Sequence, residues 1–96
     1  MRLSPRIIAL LKQTSAKSFG DVPLYLFGSR VDDSKRGGDI DLAIDTSLSS
    51  ELFRQKILDF RKELFLRDFE VKVDVVPYKT EDTLLHEEIQ HSAIRL

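Results

Sequence analysis

Residues 24–45 decide the fold: Leu24-Tyr25-Leu26-Phe27-Gly28-Ser29-Arg30, a polar stretch running to Gly37-Gly38, then Asp39-Ile40-Asp41-Leu42-Ala43-Ile44-Asp45. The first four residues are apolar and stop sharply at Gly28-Ser29, the pattern of a short strand ending in a turn. The second half alternates at period two. Asp39, Asp41, Ala43 and Asp45 share one face, and Ile40, Leu42 and Ile44 share the other. Asp is a poor strand former, so a pair on one strand face needs a reason. Carboxylates at i and i+2 stand about 6–7 Å apart along the chain, since each strand residue rises about 3.3 Å. Anions that close repel unless a cation lies between them, and hard divalent ions such as Mg²⁺ take oxygen ligands of this kind.

Outward from this core, the remaining segments alternate in kind. Ser4-Pro5 is a helix start, with Ser as N-cap and Pro at the first helical position. Ile7, Ile8, Leu11 and Ser15 follow at helical spacing and Gly20 is a stop, so residues 5–18 read as an amphipathic helix. Asp21-Val22-Pro23 is a turn, and Arg30 to Gly38 reads as a short helical turn and a solvated loop. Residues 46–50 are capping material. Phe53, Ile57, Phe60 and Leu64, with Leu52 and Phe65 beside them, mark a long helix over roughly 50–67. Phe53, Phe60 and Phe65 are expected in the core, and Tyr78 at the surface. Val71 to Val76 is a third strand ended by Pro77, with Val71, Val73 and Val75 on one face and Lys72, Asp74 and Val76 on the other. Thr80-Glu81-Asp82 caps a last helix, with acid expected in its first turn. Residues 93–96 read as a short edge strand. This order predicts an α/β (α+β) fold: a small mixed β-sheet of three to four strands, helices packed mainly on one face, and carboxylates lining a cleft on the other.

Composition bounds the function classes. The 96 residues are 42% hydrophobic and 32% charged, as in a globular protein, and are expected to form a single domain over residues 1–96. A formal charge of -1 argues against direct nucleic-acid binding, which needs a basic surplus. Without cysteine there is no disulfide, thiolate metal site or Cys nucleophile. No apolar run is long enough to span a membrane, and Met1 to Pro5 opens no signal-peptide core, so a cytoplasmic location is expected.

Two further features sharpen the chemistry. Asp74 sits on the polar face of a valine-rich strand, as Asp41 does on its own strand. If those strands are neighbours, carboxylates at 39, 41 and 74 converge into a two-metal site for phosphoryl or nucleotidyl transfer. Gly28 lets a phosphate approach the backbone, Ser29 offers a hydroxyl and an N–H, and Arg30 could add a fork-shaped donor. The plainer readings are a solvated strand face for Asp39 and Asp41, an ion pair with Lys72 for Asp74, and a turn glycine for Gly28. His86 and His91, five apart, do not share a helix face.

Together, Phe27-Gly28-Ser29-Arg30, Gly38-Asp39-Ile40-Asp41-Leu42-Ala43-Ile44 and Val73-Asp74-Val75-Val76 resemble the signature of the DNA polymerase beta-like nucleotidyltransferases. The short chain resembles the minimal nucleotidyltransferases, the antitoxins of pairs with HEPN-domain toxins. The resemblance implies that Gly28 and Ser29 hold nucleotide phosphates, with Arg30 beside them. It implies that Asp39 and Asp41 bind two Mg²⁺ ions, and that Asp74 binds the catalytic metal and acts as base. The implied reaction moves a nucleoside monophosphate, AMP from ATP, to a hydroxyl of a partner protein, expected to be a HEPN-domain toxin. So short a chain is expected to receive its acceptor from that partner or from a second subunit of a dimer. The alternatives are a binding module that neutralises its partner by contact alone, and a nucleotide sensor that binds without transfer.

Overall fold

The computed structural model describes residues 3–28 and 40–96. Within them the elements are α1 (Pro5–Ser18), β1 (Leu24–Phe27), β2 (Ile40–Ile44), α2 (Ser50–Leu66), β3 (Val73–Pro77), α3 (Thr83–Ser92) and β4 (Ile94–Arg95). The strands form one mixed sheet in the order β3-β2-β1-β4. β1 is antiparallel to both β2 and β4, and β2 is parallel to β3. Parallel neighbours need a crossover, and α2 supplies it between β2 and β3. The reading of residues 30–38 as a loop, including Asp32, Asp33, Lys35, Arg36 and the Gly37-Gly38 turn, lies outside the described residues.

The helix ends follow from local hydrogen bonding. Ser4 caps α1 by accepting the Ile7 N–H at 3.2 Å, and Ser49 caps α2 by accepting the Leu52 N–H at 3.3 Å. Asp82 caps α3, accepting from the Leu85 N–H at 3.1 Å. The acids expected in the first turn of that helix therefore precede it, because Asp82 itself is the cap. α2 closes on a Schellman arrangement: Phe69 N–H donates to Leu64 C=O and Asp68 N–H to Phe65 C=O, with Asp68 in the left-handed region at φ 55°.

Alternation along the strands splits the interior into two layers. Leu24, Leu26, Ile40, Leu42, Ile44, Val73 and Val75 face α1 and α2, meeting Leu11, Phe53, Phe60 and Leu64. Burying a side chain such as Phe60, which is 0% exposed, contributes about 1.5–3 kcal/mol. Phe27 and Ala43, on the opposite sheet face, pack on Ile89 of α3, with Tyr25, Val76, Tyr78, Leu85 and Ala93 around them. The helices are thus divided two to one, and α3 covers part of the acid-bearing face. Tyr78, expected at the surface, is half-buried and stacks on Tyr25 with ring centroids 4.2 Å apart. Phe65, expected in the core, is 80% exposed, and its neighbour across the pattern, Leu52, is 45% exposed. Each stands about 100° around the helix from the adjoining core residue, Leu64 or Phe53, so neither can join their stripe.

Candidate active site

The acids are aligned by the valines and isoleucines around them. Ile40 pairs with Val73, Asp41 with Asp74, Leu42 with Val75 and Ala43 with Val76. Slipping this register by one residue would throw each buried aliphatic onto the opposite face. The apolar residues therefore lock β2 against β3, and the lock puts Asp41 and Asp74 side by side on one face. Neighbouring strands lie about 4.8 Å apart, so the two carboxylates start from adjacent backbone positions. Both residues are partly exposed, so a ligand can reach them.

Gly28 completes the wall from the other side. β1 pairs with β2 so that Phe27 lies opposite Asp41, and the chain then turns at Gly28 with φ +79°. A Cβ at this position would stand 2.6 Å from Asp41 Oδ2. Glycine is required twice over: for its left-handed backbone and for the room it leaves the carboxylate. The Gly28 N–H donates to Ser92 Oγ at 3.2 Å, and the Ser92 hydroxyl donates to the Glu88 carbonyl at 2.8 Å. Ser92 was not legible as a site residue, because the contact spans 64 positions and a serine on a helix carries no pattern of its own.

Gly28, Asp41 and Asp74 are thus brought to one corner of the sheet. Ser29, Arg30 and Asp39 lie outside the described residues. Among the described residues no three His, Asp or Glu side chains form a metal-holding group, so Asp41 and Asp74 stand there as a pair. Lys72 Nζ lies 4.0 Å from Asp74 Oδ1, at the outer limit of an ion pair, and its side chain is 67% exposed. So exposed a lysine is held weakly and can swing aside. Asp45, further along the same strand direction, is paired with Lys79 at 3.7 Å.

The donor set fits a hard cation. Two carboxylates on adjacent strands supply oxygen ligands of the kind Mg²⁺ takes, and the missing Cβ of Gly28 is what lets one of them sit at this corner.

The sequence profile described as "Polymerase beta, Nucleotidyltransferase" matches residues 9–96. The chain belongs to the polymerase beta nucleotidyltransferase family. This nucleotidyltransferase domain is also similar in fold to a chain in the crystal structure of a mutant of the toxin–antitoxin MntA-HpeT. That likeness has a TM-score of 0.60 and 22% sequence identity, and covers 98% of this chain and 71% of the other. Comparison with curated proteins found no match. Among the described residues, no helix of the nucleotidyltransferase domain is long and apolar enough to cross a membrane.

Proposed function

We propose that the chain is a Mg²⁺-dependent nucleotidyltransferase that moves AMP from ATP to a hydroxyl of a partner protein. We take that partner to be a HEPN-domain toxin, for which the chain acts as antitoxin. The observation that carries the reading is the alignment of Asp41 with Asp74, with Gly28 packed against the Asp41 carboxylate. Family membership supports transfer of a nucleotide, and the fold likeness to a toxin–antitoxin structure supports a protein partner.

Asp39, Asp41 and Asp74 would hold two Mg²⁺ ions. Bound there, the metal would lower the acceptor hydroxyl's pKa and offset charge on the triphosphate. Gly28 brings a backbone without a side chain to the corner, and Ser29 and Arg30 would follow it as donors to phosphate oxygens. Asp74 receives the acceptor's proton at a carboxylate oxygen. The acceptor oxygen attacks the alpha phosphorus in line, the bond to the bridging oxygen breaks, and pyrophosphate leaves. Lys72, exposed and 4.0 Å from Asp74 Oδ1, would give way to a bound cation on its flexible stem.

Incubation with the HEPN-domain partner, Mg²⁺ and ATP labelled at the alpha phosphorus tests this. Label should reach the partner, and Asp39→Asn with Asp41→Asn should abolish the transfer. Neutralisation of the partner that survives the double substitution would overturn the catalytic reading in favour of contact alone.

A further inference from the structure

We infer that Ser92 is a positioning residue for the glycine corner, fastening Gly28 to the last turn of α3 and so setting the space in which the Asp41 carboxylate sits. The inference rests on the reading of that corner as a nucleotide and metal site. The geometry is a short relay. The Glu88 carbonyl accepts from the Ser92 hydroxyl at 2.8 Å, which aims an Oγ lone pair at the Gly28 N–H, 3.2 Å away. Gly28 in turn holds its left-handed φ of +79° hard against Asp41, with its Cβ position 2.6 Å from Oδ2. Displacing the Gly28 backbone would therefore change the position available to that oxygen.

α3 is firmly placed to do this. Ile89, one turn before Ser92, is 0% exposed and packs on Phe27 and Ala43. After the helix ends, β4 pairs with β1 through Ile94 opposite Leu26 and Arg95 opposite Tyr25. Ser92 thus lies between two anchors on the strand that delivers Gly28. No other hydrogen bond among the described residues is seen at the Gly28 N–H. Because that N–H is occupied, the corner's anion-facing donors would be those that follow it.

Two variants and three readouts test the inference. Ser92→Ala removes the acceptor, and Ser92→Thr keeps it. Among the four glycines of the chain, the Gly28 amide is followed by hydrogen exchange in NMR spectra. In Ser92→Ala it should exchange about fivefold to tenfold faster, the factor that corresponds to one ordinary hydrogen bond. The rate of AMP transfer should fall by about the same factor, the Mg²⁺ concentration for half-maximal rate should rise, and Ser92→Thr should restore all three. Unchanged Gly28 exchange and unchanged transfer in Ser92→Ala would overturn the inference, as would a loss that Ser92→Thr fails to restore. If the unmodified chain transfers no nucleotide, the proposed function fails, and Gly28 exchange in the two variants still decides whether Ser92 holds the corner.

Discussion

Replacing Gly28 by alanine perturbs the corner by a single methyl group. At φ +79° an L side chain pays for the left-handed conformation, about 1–2 kcal/mol. The new Cβ also stands 2.6 Å from Asp41 Oδ2, 0.8 Å short of the 3.4 Å at which ordinary contact begins. Asp41 Cγ and Cβ, at 3.4 and 3.5 Å, can stay where they are. Only the carboxylate oxygen must move, by rotation about the bond that carries it. The two costs separate in a comparison with Gly20→Ala, because Gly20 has φ +89° and nothing within 4 Å of its Cβ position. Each variant should lose about 1–2 kcal/mol, lowering the melting temperature by roughly 5–15 °C in a domain of this size. Only Gly28→Ala should also weaken Mg²⁺ binding and nucleotide transfer, the latter by up to about 100-fold, as expected when a reacting group is misplaced by about 1 Å. Thermal melts followed by circular dichroism, a Mg²⁺ titration and a transfer assay with alpha-labelled ATP supply the three readouts. Equal Mg²⁺ affinity and transfer in the two variants would refute the claim that Gly28 makes room for the Asp41 carboxylate.

Other perturbations probe the frame around the site. Ser15 is 3% exposed and its hydroxyl has no hydrogen-bond partner among the described residues, so Ser15→Ala should stabilise by about 1 kcal/mol and raise the melting temperature by about 4–8 °C. Asp68 occupies the left-handed position after α2 at φ 55°, and Asp68→Gly should gain about 0.5–1 kcal/mol in denaturant melts. The side-chain hydrogen bond from Arg67, aided by its charge, holds the Glu63 carboxyl below its ordinary value of 4.5. Its folded-state value is therefore the lower one, so the pair stabilises the fold above pH 4.5 and loses that contribution as pH falls through the folded value. Glu63→Gln should flatten the stability profile over that acid window and leave the slope near neutrality unchanged.

Much of the architecture was legible because hydrophobic alternation carries it. Ile40, Leu42 and Ile44 on one strand and Val73 and Val75 on another cannot slip by one residue without turning their buried face outward, and the register they adopt aligns Asp41 with Asp74. Helix starts were legible where a serine stands before the first turn, as at Ser4 and Ser49. Phe65 shows that hydrophobicity without helical angle does not set burial: one residue past Leu64 it lies off the core stripe. The tie between Ser92 and Gly28 and the stacking of Tyr25 on Tyr78 arise from how α3 and the segment after β3 pack on the sheet. Contacts between segments so distant in sequence leave no local pattern to read.

Asp41 and Asp74 are expected to act together on one cation. Calorimetric titration of Mg²⁺ into the unmodified chain, Asp41→Asn and Asp74→Asn, each with its melting curve, measures this most directly. The expected result is saturable binding by the unmodified chain that either substitution abolishes. The melting curves establish that a variant without binding is still folded. Mg²⁺ binding that persists undiminished in Asp74→Asn would contradict the shared site.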